Sequence, residues 1–148
     1  MNWRIIPLHT TNAFMAMAID EAVSESVAQR KSDPTIRFWR WNPSAVSIGY
    51  FHGIEDEVDL DSCRNKNIDV VRRITGGCAV YHDFKGEITY SVIGPEDIFP
   101  KGIRESYQLI CGWVIDGLAR LGISAQFAPI NDIVVGQRKI SGNAQTRR

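Results

Sequence analysis

The sequence lacks both a long apolar segment and a bias of charge. No apolar run approaches the roughly 20 residues that a membrane-spanning helix requires. Lysine and arginine together number 17, as do aspartate and glutamate, so the overall charge favours neither nucleic acid nor an anionic membrane as a partner. The first residues also lack the apolar region of a secretory signal peptide. With 44% hydrophobic and 23% charged residues, the composition predicts an ordinary globular protein.

Cysteine is scarce as well. The chain has three cysteines, Cys63, Cys78 and Cys111, which is an odd number without a Cys-x-x-Cys pair. This pattern argues against a disulfide framework and against a zinc site built from such pairs. It predicts a reducing compartment, with the cytoplasm as the default.

The most informative stretch that is present runs from Arg72 to Asp83, with the sequence RRITGGCAVYHD. It lies between two apolar, strand-like runs. The paired glycines Gly76 and Gly77 can adopt backbone angles closed to other residues, and their amides can surround an anion. Arg72 and Arg73 supply donors that suit carboxylate or phosphate. Spacing alone allows a second interpretation equally well, namely a hairpin with a Gly–Gly turn and two solvated arginines.

Hydrophobic periodicity predicts two long helices, over residues 13–29 and 103–121, and a larger number of strands. Asp20, Glu21 and Glu25 lie mostly off the apolar stripe of the first helix, which predicts a solvated acidic face. The predicted class is α+β, with a mixed, mainly antiparallel sheet and helices packed on it.

The RRITGGCAVYHD stretch resembles the Arg-Arg-x-[Ser/Thr]-Gly-Gly-x-x-Val-x-His-Asp signature of the lipoate–protein ligase family, part of the biotin/lipoate ligase superfamily. A second motif agrees with it. Residues 131–133 (NDI) and 139–144 (KISGNA) are similar to the family's Asn-Asp-[Ile/Leu] and Lys-[Ile/Leu]-x-Gly-x-Ala. The resemblance covers the chain from the first helix to its end, and it implies the catalytic-domain fold of biotin and lipoate ligases.

The resemblance implies a lipoate–protein ligase, which uses ATP and Mg²⁺ to convert lipoate into lipoyl-AMP. The lipoyl group then passes to a lysine of an acceptor domain. The implied acceptors are the lipoyl domains of 2-oxoacid dehydrogenases and the carrier protein of glycine cleavage. Because the carboxylate of free lipoate has a poor leaving group, the adenylate supplies a better one.

Lys139 is the implied catalytic residue, because its ammonium can contact both the acyl carbonyl oxygen and the phosphate as negative charge develops. Asn131 and Asp132 are expected to position the nucleotide, with Asp132 as a candidate Mg²⁺ ligand, although a turn before a strand explains them nearly as well. The full set expected to bind ATP or lipoyl-AMP is Arg73, Thr75, Gly76, Gly77, Cys78, Ala79, Val80, Tyr81, His82, Asn131, Asp132, Lys139, Gly142 and Ala144.

The acyl chain is expected to lie beside Gly49, Tyr50 and Phe51, where the family has the border of its acyl pocket. A strand-end glycine with core aromatics is an equally good explanation. Cys78 stands where the family often has glycine, and we expect a buried small residue there rather than a reactive thiol.

The closest alternative is an octanoyltransferase of the same superfamily, which moves an acyl group from a carrier protein through a cysteine thioester without ATP. The resembling enzymes carry that cysteine about fifteen residues before the lysine, near Ser124 here. No cysteine occurs between Cys111 and Lys139, which favours ligation.

A third interpretation is a non-catalytic acyl- or nucleotide-binding module or subunit, because family catalytic domains continue beyond the lysine. We expect residues 1–148 to form a single, incomplete catalytic domain, a fragment or truncated product of a longer ligase, with no accessory C-terminal domain. A split enzyme, with a separate C-terminal or accessory subunit as partner, is the alternative.

Overall fold

A computed structural model of the chain describes residues 2–147. Their contacts group into two compact units, one ending at Pro95 and one comprising Glu96–Arg147. Among residues 2–147, no helix combines the length and the apolar character needed to traverse a bilayer.

The first unit contains six strands and three helices. The predicted first long helix is confirmed, and it begins at Ala13 because the side chain of Asn12 accepts a hydrogen bond from the Met15 amide at 2.9 Å. The elements are β1 (Arg4–Thr11), α1 (Ala13–Ala28), β2 (Thr35–Trp41), β3 (Ala45–Ile48), α2 (Ile54–Glu57), α3 (Leu60–Asn65), β4 (Asp69–Arg72), β5 (Val80–His82) and β6 (Thr89–Ile93).

Two three-stranded sheets form in this unit, with the orders β1-β2-β6 and β4-β3-β5. In each sheet the central strand pairs in parallel with one neighbour and antiparallel with the other. The strands on either side of the two glycines, β4 and β5, both pair with β3 and not with each other. The hairpin interpretation of this stretch is therefore wrong.

Small residues of α1 bring the helix close to the aromatic strand β2. Ala13 and Ala16 are fully buried against Trp39, Trp41 and Ala45, which form the core of the first unit. Alanine at these positions leaves room for the two indole rings, whose burial supplies much of the apolar area removed from water.

A buried ion pair lies beside this core. Arg37 on β2 is fully buried, and its guanidinium donates to the Ala16 carbonyl at 2.8 Å and to the Asp20 carboxylate at 2.6 Å. The same guanidinium stacks 4.1 Å from the centre of the Trp39 ring. The prediction that Asp20 belongs to a solvated face is wrong, because it pairs with a buried arginine on the next element, β2.

The second unit packs one helix and an antiparallel sheet of order β7-β8-β9. After a short 3-10 turn at Glu96–Ile98 come α4 (Ile103–Arg120), β7 (Gln126–Ala128), β8 (Asp132–Val135) and β9 (Arg138–Gly142). The predicted second long helix is confirmed. It ends just before Gly122, whose φ of +80° favours glycine. Antiparallel pairings predominate over both units, which confirms the predicted mixed α+β class.

Candidate active site

The two signature glycines lie in the loop that leads from β4 to β5. Gly77 has a φ of +94°, a conformation that other residues rarely adopt. The Arg73 guanidinium donates to the carbonyl oxygens of Ser47, Gly76 and Cys78, each at 2.8 Å. Both of its terminal nitrogens therefore hold the loop in shape. A role for Arg73 in neutralising a ligand's charge stays a prediction.

Arg72 fixes the turn that follows β3. One of its terminal nitrogens donates to the carbonyls of Gly49, Tyr50 and His52 at 2.9, 3.1 and 2.7 Å. The Tyr50 amide in turn donates to the carbonyl of Thr75 at 2.9 Å. The turn after β3 and the diglycine loop are thus joined by main-chain contacts. Arg72 is exposed and Arg73 is half-buried, and both hydrogen-bond to main-chain carbonyls.

Gly49 is the point of closest approach between these two segments. A Cβ atom built there would lie 1.8 Å from the carbonyl oxygen of Gly77. We expect Gly49→Ala to lower the free energy of unfolding by about 1–3 kcal/mol, because the backbone must shift to relieve the overlap. Urea denaturation followed by circular dichroism measures this loss. Gly76→Ala is the matched control, since a Cβ there meets no heavy atom within 4 Å. Equal stability of the two variants would contradict the prediction.

Two members of the predicted binding set, Ala79 and His82, have polar groups that are already hydrogen-bonded within the protein. The Ala79 amide donates to the Glu57 carboxylate, so it does not point freely towards a phosphate. His82 is buried and stacked on Trp41 at 4.1 Å between ring centres, and its two ring nitrogens contact Ser47 Oγ and Glu87 Oε1, each at 2.8 Å. Burial pushes the pKa of Glu87 up, but hydrogen bonds led by that from His82 outweigh it and lower the pKa. His82 therefore packs and hydrogen-bonds in the interior of the first unit.

The candidate acyl-pocket residues lie at an exposed turn. Tyr50 is 50% exposed and Phe51 86% exposed, and their rings contact each other edge to face at 5.1 Å between centres. An open groove of about 520 Å³ lies elsewhere in the first unit, and neither these two residues nor Gly49 lines it. This groove was not predictable from the sequence, because its lining comes from β3, from α2 and α3, and from β5 and the segments beside them. The lining residues are Val46, Glu57, Val58, Asp59, Ser62, Cys63, Lys66, Ile68, Ala79 and Tyr81.

Cys78 is exposed, so the expectation of a buried small residue is wrong. Its Sγ, a ring nitrogen of His52 and a carboxylate oxygen of Glu57 lie within 4.8 Å of one another. Within residues 2–147 this is the sole group of three or more His, Cys, Asp or Glu side chains with such spacing. No sequence pattern predicts it, because Cys78 is distant along the chain from His52 and Glu57.

In the second unit, the hairpin of β8 and β9 carries Lys139. Its ammonium lies 2.8 Å from Asp132 Oδ1, and the two side chains are 58% and 28% exposed. A Cβ at Gly142 would lie 2.8 Å from both Cε and Nζ of Lys139. Glycine at this position therefore leaves the space that the lysine side chain occupies. Asp132 offers Mg²⁺ a single carboxylate already paired with a cation, so metal binding there would depend on the oxygens of a ligand.

Asn131 closes the open end of the same hairpin. Its side-chain amide donates to the Asn143 carbonyl, and the Asn143 side chain donates back to the Asn131 carbonyl at 2.8 Å. The Asn143 side chain also lies 3.5 Å from Sγ of Cys111. Burial, assisted by the charge of Asp132, raises the pKa of the Cys111 thiol to about 11. Cys111 is therefore a neutral thiol near neutral pH, and the nucleotide-binding role of Asn131 stays a prediction.

Comparison with protein families decides the relationship. Residues 12–148 match the model of the lipoyl protein ligase A/B catalytic domain. The chain belongs to the lipoyl protein ligase A/B family. Similar family members include octanoyltransferases LipM from Clostridioides difficile and Symbiobacterium thermophilum, which are 39% and 37% identical over 99% of this chain. The chain spans 61% of the length of each of these relatives.

Solved structures of the family have the same fold. A bipartite lipoate protein ligase from Thermoplasma acidophilum, described together with its E2 lipoyl domain, superposes with a TM-score of 0.85 at 33% identity. A lipoate-protein ligase A bound with ATP gives a TM-score of 0.85 at 35% identity. Both comparisons cover the whole of this chain, and 57% and 62% of the respective solved chains. The fold expected from the resemblance is therefore confirmed.

Proposed function

We propose that the protein containing this chain is an octanoyltransferase. It moves an octanoyl group from a carrier-protein thioester to a lysine amine of a lipoyl acceptor domain. The observation that carries the proposal is the 39% identity to an octanoyltransferase across 99% of the chain. Because a thioester is already an activated acyl donor, this reaction requires neither ATP nor Mg²⁺. The proposal therefore reverses the preference for ligation that the position of the cysteines suggested.

Lys139 is the residue to which we assign charge stabilisation in this reaction. When an amine attacks a thioester, negative charge develops on the carbonyl oxygen, and a cation held near that oxygen lowers the barrier. The Lys139 ammonium is half exposed and is held at 2.8 Å by Asp132, so it is available to a substrate and restricted in position. Gly142 keeps the space beside it open.

ATP-dependent lipoate ligation is the second candidate. It is supported by the lack of a cysteine between Cys111 and Lys139 and by the similarity to a ligase bound with ATP. In that reaction Lys139 and Asp132 would face the phosphates of the nucleotide, and Mg²⁺ would be shared between Asp132 and phosphate oxygens. The acceptor is a lipoyl domain in either case, such as that of a 2-oxoacid dehydrogenase or the glycine-cleavage carrier protein.

An acceptor-domain mass-shift assay separates the candidates. The purified protein is incubated with a lipoyl domain and either octanoyl-carrier thioester without ATP, or free lipoate or octanoate with ATP and Mg²⁺. We expect octanoylation of the acceptor lysine from the thioester alone. Acylation only from a free acid with ATP would replace transfer by ligation. If the acceptor is acylated under neither condition, both octanoyl transfer and ligation are contradicted, and a non-catalytic binding subunit becomes the remaining interpretation.

A further inference from the structure

The three cysteines differ sharply in their environments. Cys63 and Cys111 are buried, and the latter is kept neutral by its raised pKa. Cys78 alone among them is exposed. A thiol acts as a nucleophile through its thiolate and needs access to the substrate. Of the thiols in this chain, Cys78 meets the requirement of access.

The neighbours of Cys78 are those that activate a nucleophilic thiol. His52 and Glu57 place a ring nitrogen and a carboxylate oxygen within 4.8 Å of its sulfur. Nδ1 of His52 contacts Oε1 of Glu57. A carboxylate on Nδ1 holds the proton on that nitrogen and leaves Nε2 with the lone pair of a general base. A thiol, an imidazole and a carboxylate are thus present in one cluster, the side chains from which a nucleophile, its base and an orienting group are built.

The cluster is held in place by main-chain contacts. The Glu57 carboxylate accepts from the amide of Ala79, the residue after the cysteine. The Cys78 carbonyl accepts from Arg73, and the His52 carbonyl accepts from Arg72. All three side chains therefore sit on segments tied to the diglycine loop, so their spacing follows from the fold.

The open groove of the first unit shares one residue, Glu57, with this cluster. Glu57 and Ala79 belong to its lining, while Val46, Val58 and Ile68 give it apolar walls. Its volume of about 520 Å³ lies within the range of small-molecule sites, roughly 300–1,000 Å³. An eight-carbon acyl chain is a ligand of suitable size and polarity for it.

We propose that Cys78 is the nucleophile that carries the octanoyl group as a thioester, with His52 as its general base, Glu57 orienting His52, and the groove holding the acyl chain. This inference rests on the proposed octanoyl transfer. The resembling transferases carry their nucleophilic cysteine at the position that corresponds to the region of Ser124, where this chain has no cysteine. Cys78 would supply the nucleophile in its place.

The steps balance without a further reactant. His52 takes the proton of Cys78, and the sulfur attacks the carbonyl carbon of the carrier thioester. The bond from that carbon to the carrier sulfur breaks, and the carrier leaves with the proton from His52 as a free thiol. The acceptor amine then attacks the carbonyl carbon bound to Cys78. An amide forms, the carbon–sulfur bond breaks, and the proton released by the amine returns through His52 to the thiol.

Mass spectrometry of the intact protein and of its peptides tests this inference. The wild type is incubated with octanoyl-carrier thioester in the absence of acceptor, digested, and searched for the modified peptide. We expect one octanoyl group on the peptide containing Cys78, labile to hydroxylamine. Addition of a lipoyl domain should discharge it onto the acceptor lysine. Cys78→Ala should form no adduct and should transfer at least about 10³-fold more slowly.

Cys111→Ala, which removes a thiol outside the cluster, is the matched control and should keep both adduct and transfer. His52→Gln should slow alkylation of Cys78 by iodoacetamide as well as transfer, which a purely structural role would not do. Thermal melts of each variant check folding. Cys78→Ser is used in place of Cys78→Ala if the latter melts early.

The outcomes separate the two proposals. If the wild type transfers octanoate to the acceptor and Cys78→Ala does so equally well, the thioester inference is overturned and octanoyl transfer stands. If the wild type does not transfer from the thioester at all, both are overturned. If the wild type binds one zinc ion per chain, and Cys78→Ala loses the zinc but keeps transfer, then His52, Glu57 and Cys78 form a metal site and the thioester inference is overturned.

Discussion

Replacing Lys139 with alanine is expected to lower the rate of octanoyl transfer by about 10²–10³-fold, because a single placed charge is lost at the developing oxyanion. The same change should leave the fold intact. The Lys139 side chain is 58% exposed, and ion pairs at the surface contribute on average about 0–1 kcal/mol to stability. The rate is measured by the acceptor mass shift, and stability by thermal denaturation.

Arg138→Ala is the matched control for Lys139→Ala. It removes a positive charge from the neighbouring exposed position of β9, where side chains alternate between the two faces. We expect this variant to transfer at the wild-type rate. A Lys139→Ala protein with nearly full activity would contradict the role in charge stabilisation. A loss of activity that merely follows a fall in melting temperature would assign Lys139 a structural role.

Replacing Arg37 with methionine is expected to lower the free energy of unfolding by about 3–5 kcal/mol, because it leaves the Asp20 carboxylate without its buried partner. Burial already raises the pKa of Asp20, and the hydrogen bond from Ser91 and the charge of Arg37 oppose that rise. A loss of this size is a large fraction of the roughly 5–15 kcal/mol that stabilises a typical domain. Urea denaturation monitored by tryptophan fluorescence measures it.

The double variant Arg37→Met/Asp20→Leu distinguishes the unpaired charge from lost packing. Removing both charges should restore much of the stability, since a buried ion pair can often be replaced by apolar residues at little cost. Arg40→Met, on the same strand, removes an arginine whose guanidinium makes an exposed 3.5 Å approach to the Lys85 carbonyl, and it should be nearly neutral. A double variant as unstable as Arg37→Met would show that the arginine stabilises by packing on Trp39.

The long helices could be predicted because their signals are local. Asn12 caps α1, and Gly122 follows α4, so short-range sequence determines where each helix begins or ends. The pairing of the strands has no such signal. The sequence predicted that strands outnumber helices and that strand-like runs flank the two glycines. It did not predict that β4 and β5 would flank β3, because this order depends on contacts between distant segments.

The candidate site shows the same division. The signature located the diglycine loop, and the second motif located Lys139. The partners of the two arginines were not predictable, because they are carbonyl oxygens that any residue possesses. Cys78 was misjudged for a related reason, since a single cysteine in an apolar context gives no indication that His52 and Glu57 approach it in the fold.

The adjacent arginines of the diglycine loop stabilise its backbone rather than simply adding positive charge. Arg72 and Arg73 direct their terminal nitrogens at main-chain oxygens, so their contribution depends on fork geometry more than on net positive charge. Lysine at either position would conserve the charge, but several of these carbonyl oxygens would lose their hydrogen-bond donor. Two adjacent arginines suggest attraction of an acidic substrate. In this chain Arg72 and Arg73 instead hold in place the segments that carry Cys78 and His52.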